Sequence, residues 1–190
     1  MSDSPMKNPP SGHRTALSAE TGPASPHPNA RVNGQRFAAM VGGASDLLES
    51  HTHIVNALNV FPVPDGDTGT NMSLTMRAVA AAAHEQCEAS PDGAVGDVAR
   101  AMARRALMEA RGNSGVILSQ FFRGISEAFD GLTSFGAHDL ANALRAATER
   151  SYGGVGEPVE GTMLTVIAAA ADEASVSAST GASVRELLNT

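Results

Sequence analysis

Residues 59–88 read NVFPVPDGDTGTNMSLTMRAVAAAAHEQCE, and the change of pattern inside this stretch decides the architecture. Its second half, about 71–88, puts Met72, Met76, Val79 and Ala83 on one face at helical spacing. Its first half is a loop of a particular kind. Pro62 and Pro64 fix their own φ and push Phe61 and Val63 toward extended conformations. In an extended segment residues two apart point the same way, which would let Asp65 and Asp67 converge on one ion. Gly66 and Gly69 permit φ > 0 and close approach of a ligand, and Thr70 or Asn71 can cap the helix that follows. Two carboxylates plus a side-chain amide oxygen suit Mg²⁺, which takes a few protein oxygens and keeps the rest of its shell for water and phosphate. The free N–H groups and positive end of the helix suit phosphate itself. Asp-Gly alone is a common turn signal. The Pro-x-Pro before it and the Thr-Gly-Thr-Asn after it favour the functional reading.

Helical spacing continues on both sides. Upstream, Phe37, Met40, Val41, Ala44, Leu47 and Leu48 mark one helix, and a short one follows at about 52–58. Downstream, helices are expected at about 95–110, 116–129, 137–152, 162–174 and 182–188, divided by glycine-bearing loops. No stretch alternates with period two, so no sheet is expected and the fold class is all-α, an antiparallel helical bundle. Residues 1 to about 32 hold six of the ten prolines among Ser, Asn and Gly, and read as a disordered tail ahead of a domain over 33–190.

Composition narrows the chemistry. Cys87 is the only cysteine, which excludes an internal disulfide and fits a reducing cytoplasm. There is no apolar run of membrane-spanning length, so no integral membrane association is expected, and no secretory h-region at the N-terminus. A net charge of -7 and 4% aromatic residues argue against nucleic acid as a partner. Lys7 is the only lysine, so phosphate chemistry must use metal, arginine and backbone N–H groups. A Walker A loop and a kinase-type lysine are excluded with it. The acidic run is not an EF-hand, because loop positions six and twelve counted from Asp65 are Thr70 and Met76. His51 and His53 read as a solvated helix end, and a zinc site lacks ligands. Arg104 and Arg105 read as a solvated face, whereas Arg111 and Arg123 are candidates for phosphate or partner contact.

Two further loops share the first one's grammar. Gly112-Asn113-Ser114-Gly115 precedes an apolar helix and fits either an anion-binding helix start or an ordinary turn capped by Asn113 or Ser114. Gly161 and Thr162, ahead of Met163, fit either a ligand-facing start or a simple Thr162 cap. In an antiparallel bundle alternate helix starts lie at one end, where three such starts would form one pocket.

NVFPVPDGDTGTNM (59–72), ARGNSGVILSQFFRG (110–124) and PVEGTMLTV (158–166) together resemble the N-terminal nucleotide-binding domain of the bacterial fatty acid kinase family, related to the L domain of dihydroxyacetone kinases. The three occur in the family's order, and the resemblance covers about 34–190. It implies a barrel of about eight helices binding ATP and two Mg²⁺ ions at one end. Carried over by motif, Asn59, Asp65 and Asp67 would be the metal ligands, Asp65 and Asp67 being catalytic. Thr68, Gly69, Thr70, Asn71, Gly112, Asn113, Ser114, Gly115, Gly161, Thr162 and Met163 would line the nucleotide. The acceptor would be a fatty acid carboxylate presented by a separate lipid-binding protein, and the product an acyl phosphate. Asn59 and the Pro-x-Pro favour this branch over dihydroxyacetone kinases, whose L domains carry a third aspartate near Asn59 and a histidine in place of Thr68. The family's first domain runs on past Thr190, which reads as a truncation and leaves autonomous activity and oligomeric state open. Phosphorylation of a small ketone or polyol and a non-catalytic nucleotide-binding module are the alternatives.

Overall fold

The computed structural model describes Met1, residues 31–60 and residues 63–189; nearly all of the expected tail, and Phe61 and Pro62, lie outside the described residues. Eight helices follow one another there: α1 (Gly34–Ser50), α2 (Thr52–Ala57), α3 (Thr68–Ala89), α4 (Val95–Met108), α5 (Gly112–Ala128), α6 (Ala137–Gly153), α7 (Met163–Ser179) and α8 (Val184–Leu187). The all-α class holds. From α3 to α7 each helix packs on the next, and α3 also meets α1 and α5.

Cross-helix pairs show the alternation. Arg105 of α4 reaches Glu85 of α3, while the Thr75 hydroxyl donates to Glu109 O just past α4, so these two run antiparallel. A Cβ on Gly124 of α5 would lie 2.5 Å from Ala147 Cα of α6, and one on Gly154 2.6 Å from Gln120 Cγ, again antiparallel. Thr148 of α6 pairs with Ile167 O of α7, and Tyr152 with Glu160 just before α7. The starts of α3, α5 and α7 therefore face one end, as the alternation of a bundle requires. Among the described residues α7 packs chiefly on α6 and α8, so the arc from α1 to α7 stays open between those two helices.

A small ladder corrects the expectation of no sheet. β1 (Val32–Asn33) pairs antiparallel with β2 (Ser134–Phe135), Val32 opposite Phe135. Two residues are too few for alternation to register in a sequence. Arg31 clamps the ladder by donating to Ser134 O at 2.6 Å and Asp139 Oδ2 at 2.8 Å, so Arg31 and Val32 belong with the domain and not with the tail.

The heaviest packing lies at the end away from the starts of α3 and α5. Phe129 and Phe135 stack at 4.7 Å, and Phe37 meets both edge-on at 5.6 and 5.5 Å. Val79, Val95, Val98 and Met102 join them, all buried. Aromatic pairs of this geometry add about 0.5–1.5 kcal/mol beyond burial. Between α5 and α6 the chain uses small residues instead, which bring the backbones close.

The Gly124–Ala147 contact predicts an asymmetry between two glycines. Gly124→Ala would drive a methyl into α6 backbone and is expected to lower unfolding free energy by about 1–3 kcal/mol. Gly43→Ala, with open space around an exposed mid-helix position, is expected to raise it by about 0.5–1 kcal/mol. Urea denaturation of the two variants checks both signs.

Candidate functional site

The acidic turn is tighter than the extended segment expected. Asp65 N–H donates to Val63 O at 2.9 Å, closing a three-residue turn on Pro64, whose ring presets a suitable φ. Gly66 follows at φ 66, where a side chain would be strained. Asp67 then takes φ -112, ψ -2 as the N-cap of α3. Asn59 Nδ2 donates to Asp65 Oδ1 at 2.6 Å, which among the described residues leaves the Asn59 amide oxygen, the second Asp65 oxygen and both Asp67 oxygens uncommitted. Both aspartates are exposed. Among the described residues no three His, Cys, Asp or Glu side chains gather as a metal site, so the hard donors here are two carboxylates and one amide. That set fits Mg²⁺ with a largely aqueous shell.

Helix α3 begins three residues before the expected 71, so Thr70 and Asn71 do not cap it from their own position. The cap comes from α2. Asn56 Oδ1 accepts from Thr70 N–H at 3.1 Å, and Asn56 Nδ2 donates to Thr70 Oγ1 at 3.1 Å. Gly69 is helical and buried, not left-handed as expected. Its missing side chain admits α2: a Cβ would collide with Thr52 O and lie 3.0 Å from Asn56 Oδ1. The Thr52 and Ser73 hydroxyls close the joint at 2.7 Å.

Helix α5 likewise starts earlier than 116, so Gly112, Asn113, Ser114 and Gly115 form its first turn. Gly112 sits at φ 59, where a Cβ would lie 2.8 Å from Asn71 Nδ2. One turn on, a Cβ on Gly115 would lie 3.0 Å from Thr75 Oγ1, which donates to Asn71 O at 3.0 Å. Two matched contacts, Asn71 with Gly112 and Thr75 with Gly115, set α3 and α5 parallel and side by side. Neither helix has a side-chain cap of its own. The N–H groups of Thr68, Gly69, Gly112, Asn113 and Ser114 meet no acceptor among the described residues. They are the orphan donors of two neighbouring helix starts, with both macrodipoles adding positive potential.

The third loop lies at the same end but is satisfied internally. Thr162 caps α7, accepting from Leu164 N–H at 3.3 Å and donating to Val159 O at 2.7 Å. Gly161, at φ 77, donates its N–H to Thr165 Oγ1 at 2.8 Å, and Thr165 donates to Glu160. Partial burial and then the Glu160 carboxylate raise the Tyr152 phenol above its ordinary value. By the α5–α6–α7 register, Met163 is level with about Gln120, roughly 12 Å along α5 from Gly112. Direct contacts thus join the first two loops, and the third stands two turns back.

Other side chains sort themselves by position. Arg111 is the exposed N-cap of α5. Arg123 lies three turns along α5 and pairs at 3.1 Å with Glu127, which also holds Arg150 at 2.7 Å. His51 and His53 are exposed, and Arg105 pairs with Glu85. Asn56, Thr52 and Thr75 were not singled out by sequence; a polar face on the short helix before the turn is the signal that pointed to Thr52 and Asn56, and Thr75 of α3 had none. The rim of this end is apolar. Leu58 and Val60 before the turn, Val63 within it, Leu107 and Met108 at the end of α4 and Val116 of α5 are 44–79% exposed.

The DAK2 domain profile matches residues 62–190. Protein YloV of Bacillus subtilis is 44% identical over 145 residues, covering 76% of this chain and 26% of its own. Uncharacterized proteins of Staphylococcus saprophyticus and Staphylococcus haemolyticus are 42% and 41% identical over 144 residues, covering 76% of this chain and 25% of theirs. The chain spans about a quarter of the length of these relatives. No helix among the described residues is long and apolar enough to cross a membrane.

The glycine joint between α2 and α3 gives a direct check. Gly69→Ala is expected to push α2 away and lower stability by about 1–3 kcal/mol, read by urea denaturation. The Thr70 amide resonance should shift with it, because the Asn56 cap is drawn off its donor.

Proposed function

The chain belongs to the DAK2 domain family, a domain of kinase-related proteins, and from that premise we propose that it binds ATP with Mg²⁺ and serves phosphoryl transfer to a fatty acid carboxylate. The observation that carries the reading is the pair of parallel, uncapped helix starts beneath an exposed two-carboxylate turn. Open N–H groups on Thr68, Gly69, Gly112, Asn113 and Ser114 can donate to phosphate oxygens at the positive ends of α3 and α5. Asn59, Asp65 and Asp67 would hold the Mg²⁺ ions, two of them by family resemblance. Bound there, the metal supplies charge neutralisation across the β- and γ-phosphates, the main requirement of this chemistry. Asn59 orients Asp65 through its 2.6 Å bond. Fixed N–H donors add stabilisation without reorganising. The Gly161, Thr162 and Met163 turn, set back along α5, suits the far side of the nucleotide better than its phosphates.

A carboxylate acceptor is already an anion, so no general base is required. The exposed apolar rim from Leu58 to Val116 favours an acceptor presented by an apolar partner, which fits a lipid-binding protein carrying the acyl chain. On this reading the product is an acyl phosphate, and the lone Cys87 fits a cytoplasmic setting. A small ketone or polyol acceptor is the second reading; it is favoured by the family itself, but would need a base for its hydroxyl.

Calorimetry is expected to show Mg²⁺-dependent ADP and ATP binding. Turnover with a fatty-acid-loaded lipid-binding protein is expected to fall by about 100-fold or more in Asp65→Ala and Asp67→Ala, and dihydroxyacetone assayed alongside should give none. Equal turnover in wild type and both variants would sink the assignment, and binding without turnover on either acceptor would mark a non-catalytic module.

A further inference from the structure

Helix α2 is six residues long and buries none of them, so it is not part of the core. Apart from the Thr52 hydroxyl reaching back to Leu48 O of α1, its side-chain contacts are directed at the first turns of α3. Thr52 O and Val55 abut Gly69, the Thr52 hydroxyl meets Ser73, and Asn56 grips Thr70 by both its N–H and its hydroxyl. A helix N-cap is ordinarily the residue before the first turn. Here that residue is Asp67, whose side chain caps nothing, and the cap is delivered from another helix. The consequence is a division of labour. Among the described residues Asp67 keeps both oxygens free for a cation, Thr70 N–H is withdrawn from any ligand, and Thr68 and Gly69 are the open donors of α3.

We propose that Asn56 is a positioning residue of the nucleotide site: it caps α3 in place of Asp67 and so fixes the phosphate-facing donors against the metal-binding carboxylates. This rests on the nucleotide reading above. Asn59, which orients Asp65, follows α2 by two residues and donates its N–H to Asn56 O at 3.2 Å, so Asn56 touches the supports of both halves of the site. When Asn56 is shortened, Asp67 is the nearest group able to take over the cap, and in doing so it leaves the cation. Because Asn56 lies beside the open donors, a charge placed there opposes a phosphate in the same place. Asn56→Asp keeps an acceptor for Thr70 N–H yet puts an anion beside the phosphate.

The experiment measures Mg·ADP affinity by calorimetry and unfolding temperature on the same samples. The variants are Asn56→Ala, Asn56→Asp and a distant control, Ser183→Ala, which removes the side-chain cap of α8. Asn56→Ala is expected to bind Mg·ADP about tenfold more weakly, the scale of one lost cap. Asn56→Asp is expected to melt within a few degrees of wild type and still lose about tenfold, a loss that shrinks in high salt. Ser183→Ala is expected to melt lower with unchanged affinity. Wild-type affinity in a folded Asn56→Ala overturns the positioning role while leaving nucleotide binding intact, and wild-type affinity in Asn56→Asp overturns the placement of Asn56 beside the phosphate. Failure of the wild type itself to bind Mg·ADP overturns the nucleotide reading, and the positioning role with it.

Discussion

Two close contacts between parallel helices govern this molecule. Asn71 lies against Gly112 and the Thr75 hydroxyl against Gly115, so α3 and α5 begin at one level and within one glycine's width of each other. Helices with ordinary side chains at these positions would stand about 8–10 Å apart. Glycine removes the Cβ that enforces that distance, and Thr75 fills the remaining space with a hydroxyl satisfied by Asn71 O and, more weakly, Glu109 O. The end of α4 is thereby tied beneath both helix starts. Moving any one of the three helices would open the site, and one of these contacts holds Gly112, whose N–H is among the donors proposed for phosphate.

The arrangement leaves polar groups unsatisfied where they can be useful. Helices α1, α7 and α8 end in side-chain caps, and α6 uses Asp139 on the Gly136 N–H, but the starts of α3 and α5 present bare donors. Each missing cap costs about 1 kcal/mol. The trans cap from Asn56 recovers part of that cost for α3 without blocking Thr68 or Gly69. Surface ion pairs contribute little by comparison. Arg100 holds Asp97 and Asp130, and Glu127 holds Arg123 and Arg150, but all are well exposed and worth a fraction of a kcal/mol each.

Stability and function are also separated in space. The aromatic cluster of Phe37, Phe129 and Phe135 and the buried valines of α3 and α4 lie toward the far end. The candidate site is built instead from glycines, short hydrogen-bonding side chains and a helix that buries nothing. Sparse apolar packing of this kind marks the segments that open locally at low cost. The proposed nucleotide site would gain from that placement in admitting and releasing its ligand.

Much of this was legible in the residues alone. Helical spacing of apolar residues located all eight helices, because one buried face per helix leaves a periodic trace. Asp65 and Asp67, Gly112 to Gly115 and Gly161 with Thr162 stood out because few residue types supply hard oxygen ligands or left-handed backbone. Boundaries were missed where a helix opens on glycine or threonine, residues that look like loop until a neighbour satisfies their backbone. Thus α3 starts at Thr68 and α5 at Gly112, and Gly69 proved to be a packing glycine rather than a turn. Only the tertiary structure decided which loops meet. It joined the first two, set the third about two turns back, and brought Asn56 to Thr70 across fourteen residues. A sequence records which groups can hydrogen-bond or approach closely. Which of them do so depends on the register of helices packed side by side, a property of pairs that no single stretch contains.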